Sequence, residues 1–213
     1  MLRLERLLGF ASAHLNGRKI YRAPDMVLRI LSDASYLSRP NAGSVAGSFH
    51  FLGNRSDQDF LDLFLNHPVS SHSTRIPVVC SFVAEAEYGG AFASARIATD
   101  EREILKNLGH PQPPTTIYCD NEVAVGLAND TVKAKMSKSL DMRFHWLRDR
   151  VRQGQFRVVH VPGIYNIADF FTKSLPVARH RALAPFIAVD DGESAPTSIK
   201  YSNLTSSLLF FAA

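Results

Sequence analysis

Apolar and polar positions alternate with a period of two in the first third of the chain. Over 27–33 one row carries Val27, Arg29, Leu31 and Asp33 and the other Leu28, Ile30 and Ser32, which predicts a strand. Val45, Gly47, Phe49 and Phe51 share one face of a second strand, and Pro40 and Gly43 mark a turn between the two. That spacing predicts an antiparallel hairpin. A third strand is expected within 69–79, after a polar stretch at 53–68 that reads as an insertion or long loop.

The period then lengthens. Over 84–108 Tyr88, Phe92 and Ala95, then Ile97, Ile104 and Leu108, recur at spacings of three, four and seven, which predicts a long helix stopped by Gly109. Gly89 and Gly90 weaken its first turns. A short strand at 116–120 and a short helix around Ala124, Leu127 and Ala128 follow. Leu140, Phe144, Leu147 and Val151 form one apolar stripe of a further helix. Strand 156–161, a turn at Pro162 and Gly163, and a last helix from about 166 to 181 complete the series. Three strands, helix, strand, two helices, strand and helix predict a mixed α/β domain, one sheet covered by helices. The domain is expected over 27–187, with a helix and connector at 1–26 before it and a flexible tail at 188–213 after it.

Composition narrows the class. A chain of 213 residues, 46% of them apolar, can bury a core without disulfides or metal staples. Its two cysteines, Cys80 and Cys119, make neither a disulfide framework nor a four-cysteine zinc site and fit a reducing compartment. No apolar run approaches the roughly 20 residues of a spanning helix, and residues 1–10 show helical spacing instead of a signal peptide's apolar block. An intracellular protein without membrane contact is expected, in a cytoplasmic particle or the nucleus.

Charge adds a direction. Between Thr131 and Val161 eight cations (Lys133, Lys135, Lys138, Arg143, Arg148, Arg150, Arg152 and Arg157) face only Asp141 and Asp149. Such a stretch suits a polyanion, because each cation that meets a phosphate releases condensed counterions. A solvated helix face is the plainer alternative.

Four carboxylates stand out by position. Asp33 closes the first predicted strand, Glu87 lies in the first turn of the long helix, Asp120 closes the fourth strand and Asp169 opens the last helix. Singly, each has an ordinary reading: Asp33 a turn residue, Glu87 and Asp169 helix N-terminal charges, Asp120 an N-cap. Brought together at one sheet edge they would repel and raise one another's pKa unless a cation neutralised them. A hard divalent ion with oxygen ligands supplies that charge, and two such ions about 4 Å apart suit phosphodiester hydrolysis.

In order and spacing, Ser32-Asp33-Ala34-Ser35-Tyr36, Ala84-Glu85-Ala86-Glu87-Tyr88, Tyr118-Cys119-Asp120-Asn121 and Ala168-Asp169-Phe170-Phe171-Thr172-Lys173 together resemble the ribonuclease H domain of copia-type retrotransposon polyproteins. The segment from Asp141 to Arg148 is similar to that family's stretch between its third and fourth acids. The resemblance implies a ribonuclease H-like fold: a five-stranded mixed sheet, first three strands antiparallel, helices on both faces. It implies an endonuclease acting on the RNA strand of RNA–DNA hybrids during reverse transcription, with two Mg2+ ions, or Mn2+ as substitute, held by Asp33, Glu87, Asp120 and Asp169. Glu85 is taken as a bystander.

Hybrid binding would draw on main-chain groups near Ser35 and Asn121 for the RNA strand and on Lys133, Lys135, Lys138, Arg143 and Arg150 for the backbone. Asn166 either positions substrate or caps a helix, and His160 is read as structural. The polymerase part of the parent polyprotein is a further expected partner, since residues 3–9 resemble the end of the connection that precedes this domain. No polymerase signature follows, so a fragment is expected. Two departures, the long polar 53–68 stretch and Phe82-Val83 before the glutamate motif, leave the third strand's register open. A catalytically inactive nucleic-acid-binding remnant is the alternative, and an integrase or exonuclease core shares the metal chemistry but not this motif order.

Overall fold

The computed structural model describes residues 2–56, 60, 63–132 and 141–198, with the backbone alone at 2, 3, 6, 7 and 141–144. Lys133, Lys135 and Lys138, the side chain of Arg143, and Leu140 and Phe144 of the apolar stripe therefore lie outside the described side chains.

Five strands form one sheet: β1 Val27–Arg39, β2 Gly43–Gly53, β3 Ser70–Arg75, β4 Thr115–Cys119 and β5 Phe156–His160, in the order β3-β2-β1-β4-β5. β1 pairs antiparallel with β2, and β2 with β3, while β4 lies parallel to both β1 and β5. The third strand's register is defined, with Val45 opposite Arg75 and His50 opposite Ser70. β1 is central and buried on both faces from Val27 to Ser35, which is why its rows show no apolar-in, polar-out split: Leu28, Ile30 and Leu31 are buried, and so are Arg29 and Asp33.

Helices α2 (Val83–Asn107), α3 (Glu122–Ala128) and α4 (Asp141–Arg152) cover one face. There Leu28, Ile30 and Ile117 pack against Tyr88, Ala91, Ala95, Ala98, Leu127 and Leu147. The alanines bring α2 close to the sheet, and Gly90 brings it closer still. A Cβ on Gly90 would stand 3.0 Å from the Asp33 carbonyl oxygen, so the residue that weakens the helix locally is the one that lets it lie on β1.

On the other face Leu31, Phe49, Phe51 and Tyr118 pack beneath Leu63, Leu65, Ile167, Leu183 and Phe186. The last helix is not continuous as the sequence predicts. It is split into α5 (Asp169–Thr172) and α6 (Val177–Leu183), because Pro176 has no N–H to donate and Lys173 is extended at φ −120°, ψ 149°. β1 also outruns its predicted end. Asp33 does not close the strand but lies within it, since pairing with β2 continues through Ser35–Val45 and resumes at Arg39–Gly43.

Before the sheet, α1 (Leu2–Ala13) leads into an irregular segment. This segment is tied to the polar insertion: the Ile20 N–H donates to His67 Nδ1 at 2.7 Å and the Arg22 N–H to Asn66 Oδ1 at 2.8 Å. The insertion is no loose loop at its end, for Leu63, Leu65, Asn66 and His67 are buried. Residues 189–197 return to the same place, with Arg18 and Val189 bridged and the Leu65 N–H donating to Thr197 O at 3.0 Å.

Candidate active site

Four elements bring the predicted acids together at the edge where β4 stops. β4 ends at Cys119, opposite Ser32, so β1 runs on past its parallel neighbour. Beyond that point the Ala34 N–H donates to Glu87 Oε2 on α2 at 3.0 Å. Asp33, one residue earlier and on the opposite face of β1, meets α5: Thr172 Oγ1 donates to its Oδ2, and Lys173 Nζ donates to its Oδ1 at 3.0 Å. Asp120 follows β4 directly, and Asp169 opens α5. The α5 turn is held against β2 by Gly47, where an added Cβ would lie 2.5 Å from Thr172 Cγ2.

Ligand atoms of Asp33, Asp120 and Asp169 lie within 4.8 Å of one another, as do those of Glu87, Cys119 and Asp120. Asp120 is the common member of the two groups. The donor set is hard carboxylate oxygen apart from the Cys119 sulfur, and it suits a magnesium-type cation better than a soft one. Among the described residues the cations that meet these acids are Lys173, 2.5 Å from Asp169 Oδ1, and Arg179, 3.6 Å from Asp169 Oδ2.

Burial pushes the Asp33 carboxyl up to about 6, against the pull of Lys173 and the Thr172 hydroxyl, with Asp169 and Asp120 adding to the rise. Glu87 is pushed up to about 9, first by burial and then by the charges of Asp33 and Asp120. Asp120 is raised by burial, with Lys173 opposing. Burial pulls Lys173 down, but Asp33 and Asp169 override it and lift the ammonium above its ordinary range. Negative charge in excess of its counter-ions, with Glu87 raised far enough to hold a proton, fits a divalent cation.

Glu85 points away from this centre, accepting the Ser81 N–H at 2.6 Å and closing the start of α2. Of the candidate substrate residues, Asn166 turns inward and Asn121 is half-buried. Asn166 is fully buried, its Nδ2 donating to Ser32 O at 3.0 Å and its Oδ1 accepting the Ala168 N–H, so it positions the turn before α5. Asn121 caps α3 through the Ala124 N–H at 3.0 Å, the capping task the sequence reading considered for Asp120. Ser35 sits at the mouth, with its hydroxyl 2.5 Å from that of Ser38.

The basic stretch is partly neutralised from within. Arg148 and Arg152 both pair with Asp130, and Arg150 lies over the Trp146 ring at 5.1 Å while donating to Gln155 Oε1 at 3.0 Å. His160 ends β5, exposed, 3.9 Å from Glu122. Lys173 and Thr172 received no role from the sequence, although Lys173 stands four residues after Asp169, the spacing at which helical ion pairs form.

No protein-family model matches the chain. Over 189 residues it is 28% identical to the retrovirus-related Pol polyprotein from transposon RE1 of Arabidopsis thaliana, covering 87% of this chain and 12% of the polyprotein. Over 111 residues it is 32% identical to that from transposon RE2 of the same plant, covering 52% of this chain and 8% of the polyprotein. Its relatives are retrovirus-related Pol polyproteins. The chain thus spans about a tenth of the length of the relatives it matches. Among solved structures, the LC11 RNase H1 in complex with RNA/DNA hybrid covers 68% of this chain and 93% of its own at 17% identity, with a TM-score of 0.48. The five-stranded mixed sheet, its antiparallel β1–β2–β3 and the helices on both faces make the fold ribonuclease H-like.

Proposed function

We propose that this domain is a metal-dependent endonuclease that hydrolyses the RNA strand of RNA–DNA hybrids during reverse transcription of a retrotransposon. The observation that carries the reading is the meeting of Asp33, Glu87, Asp120 and Asp169, contributed by β1, α2, the end of β4 and α5, at one edge of the sheet. Kinship with Pol polyproteins supports the setting.

Two Mg2+ ions would be held by these four carboxylates, with Mn2+ as a substitute. When bound, they supply positive charge that polarises the phosphodiester and eases ionisation of the attacking water. The chain's own part is preorganisation. In the metal-free chain Thr172 and Lys173 fix Asp33, the Ala34 N–H fixes Glu87, and Asn166 fixes the approach to α5. Water attacks the scissile phosphorus opposite the departing 3′ oxygen, leaving a 5′-phosphate and a 3′-hydroxyl. Main-chain groups near Ser35 and Asn121 face the RNA strand, and the basic segment that includes Lys133, Lys135, Lys138 and Arg143 takes the backbone of the hybrid.

A labelled hybrid incubated with the chain, with and without Mg2+, tests the reading. Cleavage is expected only with the ion and not with Asp120→Asn. An Asp120→Asn protein as active as its parent sinks the assignment, and salt-sensitive hybrid binding without turnover points to an inactive remnant.

A further inference from the structure

Lys173 is the member of the acidic centre to which the metal reading gives no task beyond holding Asp33. Its Nζ lies 3.0 Å from Asp33 Oδ1 and 2.5 Å from Asp169 Oδ1, so one ammonium bridges carboxylates carried by β1 and α5. Asp33 is fully buried, whereas the lysine side chain is 41% exposed. The ammonium therefore reaches in from the solvent side on a flexible stem. Arg179 approaches the other oxygen of Asp169, Oδ2, which leaves Lys173 as the group on Oδ1.

A buried carboxylate is costly without a compensating charge, and here the ammonium and the Thr172 hydroxyl provide it. A divalent ion bridging Asp33 and Asp169 would need the oxygens that the ammonium holds, and two cations on one pair of oxygens repel. The lysine has room to withdraw: it lines a cavity of about 480 Å³ with Ser35, Ser38, Arg39 and Ser174, which holds hydroxyls and a guanidinium but no carboxylate.

We propose that Lys173 is a tethered counter-cation that occupies the Asp33–Asp169 position in the metal-free protein and is displaced from it when a divalent ion binds. The inference rests on reading the acidic cluster as a divalent-ion site, and it goes further in making this chain's own lysine the ion's competitor. Apparent metal affinity is then the intrinsic affinity multiplied by the fraction of time the ammonium is out of the site.

The full chain and Lys173→Met, which keeps the stem and loses the charge, are titrated calorimetrically with Mn2+ alone. Tighter Mn2+ binding by Lys173→Met is expected, about tenfold if the ammonium is in place nine-tenths of the time. The metal-free variant should melt below its parent and gain more on saturation with Mn2+. Equal or weaker Mn2+ binding by a folded Lys173→Met overturns the proposal. Should that variant not fold, the parent labelled with ε-15N-lysine decides. The Lys173 ammonium resonance should move to the position of a free lysine as Mg2+ is added, and an unmoved resonance at saturating Mg2+ overturns the proposal.

Hybrid cleavage is scored separately. Tighter Mn2+ binding by Lys173→Met beside a parent that cleaves no hybrid keeps this inference and defeats the nuclease reading. Cleavage by the parent, with Lys173→Met binding Mn2+ no better, does the reverse. Absence of Mn2+ binding by either chain overturns both.

Discussion

The backbone N–H of Ala34 on β1 and Oε2 of Glu87 on α2 are 3.0 Å apart, a hydrogen bond made where β4 has already ended. It fixes a carboxyl that is 5% exposed and whose pKa is pushed up to about 9, by burial first and by Asp33 and Asp120 next. Without a cation, Glu87 is therefore protonated at neutral pH in the folded chain and ionised in the unfolded one. Stability from this group is fully present below the ordinary pKa of 4.5 and is lost as pH rises through about 9.

Glu87→Gln tests that sign. The amide keeps an acceptor for the Ala34 N–H but has no proton to lose. In EDTA at pH 8 the variant should be more stable than its parent by roughly a few kcal/mol and show a flatter dependence on pH, read by urea unfolding. Saturating Mg2+ should stabilise the parent more than the variant.

Thr172→Val preserves the shape of the side chain and removes the hydroxyl that donates to Asp33 Oδ2. A buried carboxylate oxygen losing a partner should lower stability by about 1–3 kcal/mol. The Asp33 pKa should climb further above about 6, measured by carboxyl-carbon NMR titration in the absence of metal.

Gly90→Ala sets helix propensity against space. Propensity favours alanine by about 1 kcal/mol, but its Cβ would stand 3.0 Å from the Asp33 carbonyl oxygen, and that backbone lies within a paired strand. Overpacking costs about 1–3 kcal/mol, so net destabilisation is expected, with weaker Mn2+ binding as Glu87 moves away from β1. Urea unfolding and calorimetric titration read the two effects.

His67 bridges two parts of the chain as a neutral ring. It accepts the Ile20 N–H at Nδ1 and donates from Nε2 to Pro185 O at 3.0 Å. Burial lowers its pKa, with the Pro185 bond opposing and Lys19 and Arg22 assisting. A lowered pKa means that stability from this group is present above the unfolded value of 6.5 and is lost as pH falls through the folded one. Between pH 7.5 and 5.5 the parent should lose more urea resistance than His67→Phe, whose ring takes no proton. An equal slope in the two proteins would count against the clasp.

Local pattern sufficed for much of this protein. The period-two rows at 27–33 and 45–51, the helical period at 84–108 with its stop at Gly109, and the order of strands and helices are properties of neighbouring residues and reappear as β1, β2 and α2, although Ile104 and Leu108 of the predicted stripe face solvent and alanines take the buried side. The positions of Glu87, Asp120 and Asp169 were legible for the same reason, because each lies near an element end that local pattern can mark, whereas Asp33 lies in the middle of β1. Their meeting was not. Which carboxylates share a site depends on where β4 stops against β1, on how closely Gly90 lets α2 approach, and on how α5 folds back over Gly47. The inward turn of Asn166, the pairing of Arg148 and Arg152 with Asp130, and the Lys173 bridge are likewise contacts between distant segments. Charge state belongs with them, since a pKa follows burial and neighbouring charge, and both exist only once the chain has packed.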